Sequence, residues 1–248
     1  MFVTQNQTYM KCMILFLLLS PLFSIAQETI VGSATRVFPK QDKVVQFEKA
    51  LAAHAKKYHT GDWAWSVFSI ESGPDAGGYQ LNEGPYNWEK IDTREDLGEA
   101  HTNDYNSTVA IHLTDRYSSN YSEYRADLST VELTKLADNV QLNHVFPKPG
   151  YGPEVEALIK TLKPAWEAGQ QSVAVFETSS SGAPQFVIAT RYPQGLKERD
   201  KGFRETFKVR YTKLYGEAGF ISYLETIKKI TDNTWSELLR RRADLGTK

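Results

Sequence analysis

Apolar positions recur every three or four residues at Val44, Phe47, Leu51, His54 and Tyr58, and again at Val155, Ile159, Leu162 and Trp166. Each series reads as the stripe of a helix laid against a core, because side chains at that spacing share one face. Ahead of each helix the pattern reads as a strand, over residues 29–38 and 140–146. Both strands end at a proline, Pro39 or Pro147, which has no amide hydrogen to give to a sheet. Gly61 and Gly169 fall where a helix C-terminus calls for a residue at ease with positive φ. The strands "WAWSVFSIE" and "QSVAVFET" come next, then glycine-rich turns at 73–78 and 179–184, then the strands "YQLNE" and "QFVIATRY". Helical stretches near 88–117 and 196–230 follow, the second with Phe220, Leu224 and Ile227 on one face. A final strand ends each copy.

The two halves share more than element order. The tetrapeptide "VFPK" occurs at 37–40 and at 145–148, an offset of 108 residues. At that offset Glu48 meets Glu156, Gly61 meets Gly169, Val67-Phe68 meets Val175-Phe176, and Ser72, Pro85 and Asp92 meet identical residues. The register gives 11 identities over residues 37–92, where average composition would give about 3 or 4 by chance. A second echo, "YRADLST" at 124 and "RRADLGT" at 241, needs a shift of 117. The order β-α-β-β-α-β, twice, is the ferredoxin-like pattern of an α+β protein. The organisation expected is a signal peptide over 1–26, a first repeat over 27–134 and a second over 135–248. Strands apolar on both faces need helices on one side and a second sheet on the other, so the two repeats should close an intramolecular barrel.

The duplicated "VFPK" with its following helix, the element order and the aromatic-to-"RADL" strand resemble the dimeric α/β-barrel superfamily, which includes antibiotic-biosynthesis monooxygenase-type, EthD-type and NIPSNAP-type domains. The resemblance spans nearly the whole chain after the leader. It implies a small apolar cavity between sheet and helices, which members use for oxygenation, isomerisation, haem binding or no known chemistry.

Charge adds exclusions. With 29 basic and 30 acidic residues well mixed and a net charge of −1, no field favours nucleic acid. The apolar run "CMILFLLLSPLF" after Lys11, followed by Ser24-Ile25-Ala26, has the form of a cleaved secretory leader. A periplasmic or secreted protein without stable membrane insertion is expected. Cys12, the sole cysteine, lies within that leader. No disulfide, thiolate metal site or cysteine nucleophile is then available to the mature chain.

His54 interrupts an apolar stripe where the second repeat has Leu162. It reads either as a core histidine held by one hydrogen bond or as a base or ligand-orienting group in a cavity. Arg36 and His144 hold equivalent places before the two "VFPK" copies, and Trp63, Trp65 and Tyr79 are candidate cavity walls. Arg191 matches Glu83 across the repeat and could pair with it. A continuous helix would separate His54 from His59 by about 140°, which argues against a shared metal. No "HExxH", "GxSxG", "GxxxxGK" or "GxGxxG" is present. Chlorite-dismutase-type barrels bind haem through a histidine of the C-terminal repeat, and here none follows His144. The reading therefore calls for no cofactor and no metal. It favours an exported protein that binds a small, mostly apolar molecule in a barrel cavity, with the histidine- and tryptophan-richer first repeat as the site. A cofactor-free monooxygenase or isomerase with His54 as base, and a non-catalytic structural or interaction module, are the alternatives. A homodimer is compatible with all three.

Overall fold

The computed structural model describes residues 28–178 and 181–248. The expected leader, residues 1–26, lies outside the described residues. The chain forms β1 (Ile30–Pro39), α1 (Val44–Tyr58), β2 (Ser66–Ile70), β3 (Tyr79–Tyr86), α2 (Trp88–Thr93), α3 (Glu99–Asp104) and β4 (Leu113–Tyr124). The second unit follows as β5 (Asn139–Pro147), α4 (Gly152–Ala168), β6 (Ser172–Thr178), β7 (Gln185–Arg191), α5 (Phe207–Ile230) and β8 (Thr231–Arg241). The two β-α-β-β-α-β-like units close an eight-stranded antiparallel barrel in the order β1-β3-β2-β8-β5-β7-β6-β4. The seams between units are β2 with β8 and β6 with β4. Among the described residues no helix is long and apolar enough to cross a membrane.

Period two decides what each strand face meets. Outward-facing Val37, Val67, Tyr79 and Leu81 pack with Phe47, Leu51 and Ala55 of α1. Their counterparts Val145, Val175, Phe186 and Ile188 pack with Val155, Ile159 and Leu162 of α4. The inward faces fill the lumen with Phe68, Ile70, Val140, Leu142, Ala174 and Leu239. One charged network shares that interior. Glu237 is 2% exposed, takes hydrogen bonds from Arg36 and is bonded to His144 Nε2 at 2.9 Å. Arg36 also reaches Gln80 Oε1 at 2.9 Å and Asp75 at 2.5 Å. A carboxylate so deep is tolerated because three hydrogen bonds, from partners in both repeats, engage both of its oxygens and offset its desolvation.

The repeated tetrapeptide now has a physical role. Its valine enters the helix-side core, its proline ends the strand, and its lysine caps the end of the second helical stretch. Lys148 Nζ donates to Lys229 O at 2.8 Å at the C-terminus of α5. Lys40 Nζ donates to Ile111 O at 2.9 Å in the short turn before β4. Both meet carbonyls left without helical partners.

The "RADL" echo is an exchange between units. Arg125, at the end of the first unit, pairs with Glu156 of α4 at 2.9 Å, while Leu128 is buried in the second unit's helix-side core. Arg242, at the end of the second unit, pairs with Glu48 of α1, and Leu245 is buried in the first unit's core. Each arginine is also held by its own Asp127 or Asp244 in a two-pronged bond.

Four local expectations need correction. The stretch expected to be helical over 88–117 is α2, α3, a π turn at Tyr105–Val109 and a 3-10 turn at Ala110–His112, and β4 already begins at Leu113. Trp63 and Trp65 precede β2 rather than lie on a strand, with Trp63 in a 3-10 turn. Gly169 has negative φ, and positive φ falls on Gln170. Glycine is needed at 169 because a Cβ there would overlap the Arg210 guanidinium, which donates to Ala165 O and so caps α4. Finally, α5 is broken at Gly216 (φ 74°). The break folds Tyr223 back over Tyr211, with ring centroids 5.3 Å apart.

Truncation of either exchanged leucine, Leu128→Ala or Leu245→Ala, should lower unfolding free energy by about 2 to 5 kcal/mol in urea titration. A loss below about 0.5 kcal/mol would mean that the exchange is not structural. The Arg125 and Lys160 partners hold the Glu156 carboxyl at about 2, below its ordinary 4.5. Since its folded value is depressed, the stabilisation is complete above pH 4.5 and is lost as pH falls through 2. Glu156→Gln should flatten stability against pH in that window, measured as the urea midpoint.

Candidate functional site

The outer face of the first sheet is not covered as the second is. In the second unit Phe207, Tyr211, Phe220 and Tyr223 of α5 pack on the core of α4 and its sheet. In the first unit the corresponding stretch is cut into α2 and α3, and a pocket of about 540 Å³ remains. Its walls include Trp63, Trp65, Tyr105, Tyr117 and Tyr121, with Thr35, Leu81 and Ser119 from the sheet. The hollow thus lies between sheet and helices, outside the packed barrel lumen.

Three histidines meet at the inner end of this pocket. His54 projects from the last turns of α1 and is 1% exposed. The helix stops at Tyr58, so the 140° separation does not apply to His59. That residue turns out of the helix (φ −102°, ψ 67°) while its amide still donates to Ala55 O at 2.8 Å. Gly61, at φ 59°, completes the turn. The His59 ring swings back to 5.3 Å from that of His54 and stacks on Trp65 at 3.4 Å. His101 comes from α3, with Nε2 at 3.2 Å from His59 Nε2. One nitrogen from each of the three lies within 4.8 Å of the others.

The outer nitrogens are anchored. His54 Nδ1 bonds to Asp104 Oδ2 at 2.8 Å, and His59 Nδ1 faces Trp63 O at 3.2 Å. Burial, then the neighbouring His54 and His101, pushes His59 down to about 3. Burial, then His54, lowers His101. Both rings are therefore neutral near neutrality, the form that offers a lone pair. Bonds from His54 and Lys57 hold the Asp104 carboxyl below its usual range. Tyr105, whose ring meets His54 edge-on at 5.3 Å, is pushed up to about 12 by burial and keeps its proton.

The second polar feature is Glu83. It accepts from Trp65 Nε1 at 2.6 Å and from Arg94 at 2.7 Å, and Arg94 lies over the Trp63 ring at 4.3 Å. The site also depends on the exchanged segment. Thr247 donates its hydroxyl to His59 O and accepts from Trp65 N at 3.1 Å.

Of the residues singled out in the sequence, Trp63 and Trp65 line the pocket, and His54 stands behind His59 and His101 without lining it. Tyr79 packs on Phe47 and donates to Glu48 at 2.5 Å, away from the pocket. Arg36 and His144 face the lumen with Glu237. Arg191 donates to the carbonyls of Glu132, Leu133 and Lys135. It does not meet Glu83, because β3 and β7 are out of step with the offset of 108. Val37 opposes Tyr79, whereas Val145 opposes Phe186. The one-residue difference puts Glu83 and Arg191 on opposite sheet faces.

His101, Asp104 and Arg94 lack a periodic signal, since they sit on short helices and a loop. The convergence of His54 with His59 was signalled by Gly61: a glycine terminus there ends the helix before residue 59 and removes the basis of the angular argument.

No protein-family description and no curated protein sequence matches the chain. Solved structures do match. A protein provisionally assigned as a monooxygenase from Fusobacterium nucleatum superposes with a TM-score of 0.54 at 11% identity, over 86% of this chain and 93% of that one. An anthrone oxidase-like protein gives 0.52 at 10%, over 88% and 92%. A protein provisionally assigned as a monooxygenase from Lactobacillus acidophilus NCFM gives 0.51 at 10%, over 89% and 96%. The chain therefore shares the ferredoxin-like barrel fold of these structures. At these identities the likeness concerns fold alone.

Proposed function

We propose that this protein binds a small, largely apolar molecule in the first repeat, with the polar end of that molecule toward the histidines or the Glu83–Arg94 pair. The observation that carries the reading is the asymmetry of two otherwise equivalent sheet–helix spaces. Leu162 and Val173, which match His54 and Trp65 at the offset of 108, belong to a filled core, whereas the first repeat has a pocket of about 540 Å³. That volume is within the range of small-molecule sites, and aromatic walls with a few placed polar groups are their usual lining.

Several fold neighbours carry monooxygenase or oxidase-like names. A cofactor-free oxygenase or isomerase of this type needs a base at the pocket wall. His101, half-buried and facing the pocket, meets that need better than His54, whose Nδ1 is committed to Asp104. Export is part of the same proposal, supported by the N-terminal apolar run.

Ser119 is exposed on β4 at the pocket wall, so Ser119→Trp should narrow the pocket without unfolding the protein. Binding of the apolar dye 1-anilinonaphthalene-8-sulfonate, read by its fluorescence, should weaken at least about tenfold, a difference of about 1.4 kcal/mol, with the thermal midpoint retained. Unchanged dye binding would remove the pocket from the proposal. Mass spectrometry of exported protein should find an N-terminus within a few residues of Gln27, and a chain retaining the leader would refute export.

A further inference from the structure

We propose that His54, His59 and His101 form a binding site for a divalent first-row transition-metal ion, with a coordination position open to the pocket. The site would exist whether or not the pocket takes an organic ligand, so this inference does not rest on the preceding one.

The first argument is a count of hydrogens. A carboxylate and a carbonyl only accept, so the bonds to Asp104 and to Trp63 O put hydrogens on Nδ1 of His54 and of His59. An imidazole with its one hydrogen on Nδ1 carries its bare lone pair on Nε2. His101 can give one hydrogen to His59 across their 3.2 Å separation. Nothing remains for His54 Nε2, which is buried and has no hydrogen-bond partner among the described residues. Buried nitrogens are seldom left so, and a cation shared by the three rings satisfies all of them at once.

The second argument is geometric. Metal–nitrogen bonds of about 2.0–2.1 Å in tetrahedral geometry hold donor nitrogens about 3.3 Å apart. His59 Nε2 and His101 Nε2 already stand at 3.2 Å, and one ring nitrogen from each of the three histidines lies within 4.8 Å of the others. The supporting layer matches as well. Metal-bound histidines characteristically give the other ring N–H to a carboxylate or a backbone carbonyl, which fixes tautomer and orientation. Asp104 and Trp63 O do this here, and the Trp65 stack fixes the plane of His59.

Imidazole donors suit zinc, copper, iron and nickel, whereas calcium and magnesium prefer oxygen. Three protein ligands leave a fourth position for water or a ligand atom, the arrangement of catalytic rather than structural zinc. His59 and His101 line the pocket while His54 stands behind them, so the open position faces the pocket. An oxygen or nitrogen atom on the bound molecule could complete the shell.

The test uses purified full-length mature protein stripped with EDTA and titrated with Zn2+ and with Co2+. One equivalent of Zn2+ per chain should bind by calorimetry and raise the thermal midpoint, and Co2+ should give the visible absorption of a nitrogen-rich four- or five-coordinate site. His54 and His59 are buried and their removal could unfold the protein, so the decisive variants are the half-exposed His101→Ala and the isosteric Asp104→Asn. His101→Ala should abolish the Co2+ spectrum, and Asp104→Asn should weaken Zn2+ binding about 10- to 100-fold. Ser119→Trp should leave metal binding intact while losing dye binding, which separates this inference from the pocket reading. Substoichiometric Zn2+ binding by the wild-type protein, or stoichiometric binding indifferent to both histidine-site variants, overturns the proposal.

Discussion

Arg125 and Arg242 stand at the ends of strands that pair across the seams of the barrel, and each delivers its leucine into the core of the other unit. The ion pairs Arg125–Glu156 and Arg242–Glu48 fix where those leucines enter. Without them the outer face of each sheet would lack a residue that its own unit does not encode. The same segments order what lies next to them: Thr130 bonds to Gln171 O beside β6, and Thr247 grips His59 and Trp65 beside the pocket. Closure of the barrel and construction of the site are thus one constraint. The identity of Glu48 with Glu156, and of the two "RADL" segments, is the mark that this constraint leaves on the sequence.

Inside the barrel the same interlocking takes a polar form. Glu237 on β8 binds Arg36 from the first unit and His144 from the second. Charged groups this deep contribute little to net stability compared with apolar packing, because desolvation offsets much of their attraction. What the network does supply is register. A one-residue slip of β1 or β5 against its neighbours would turn Arg36 or His144 out of the lumen and strand the carboxylate.

The fold was legible because its determinants are periodic or repeated. The stripes of α1 and α4, the prolines that end β1 and β5, and the "VFPK" offset all report local geometry directly. The site was legible only in part. Trp63, Trp65 and His54 stand in or beside periodic elements, whereas His101 and Arg94 arrive from a segment whose sequence reads as one helix but folds as several short pieces. Periodicity cannot say where such a stretch breaks, because the break is set by tertiary space left between α1 and the sheet. The pairing of Glu83 with Arg191 failed for a related reason. An ungapped comparison carries a register past a turn of different effective length, and period-two strands turn a one-residue error into a change of face.

The grip of Thr247 on His59 spans 188 residues. During synthesis the first repeat emerges from the ribosome with its histidines already made, yet the loop that aims one of them waits for a residue translated far later. A prematurely terminated product could collapse its first helix onto its first sheet and still have no finished site. Placement of the His59 loop is thereby tied to a residue that only a chain read through both repeats supplies.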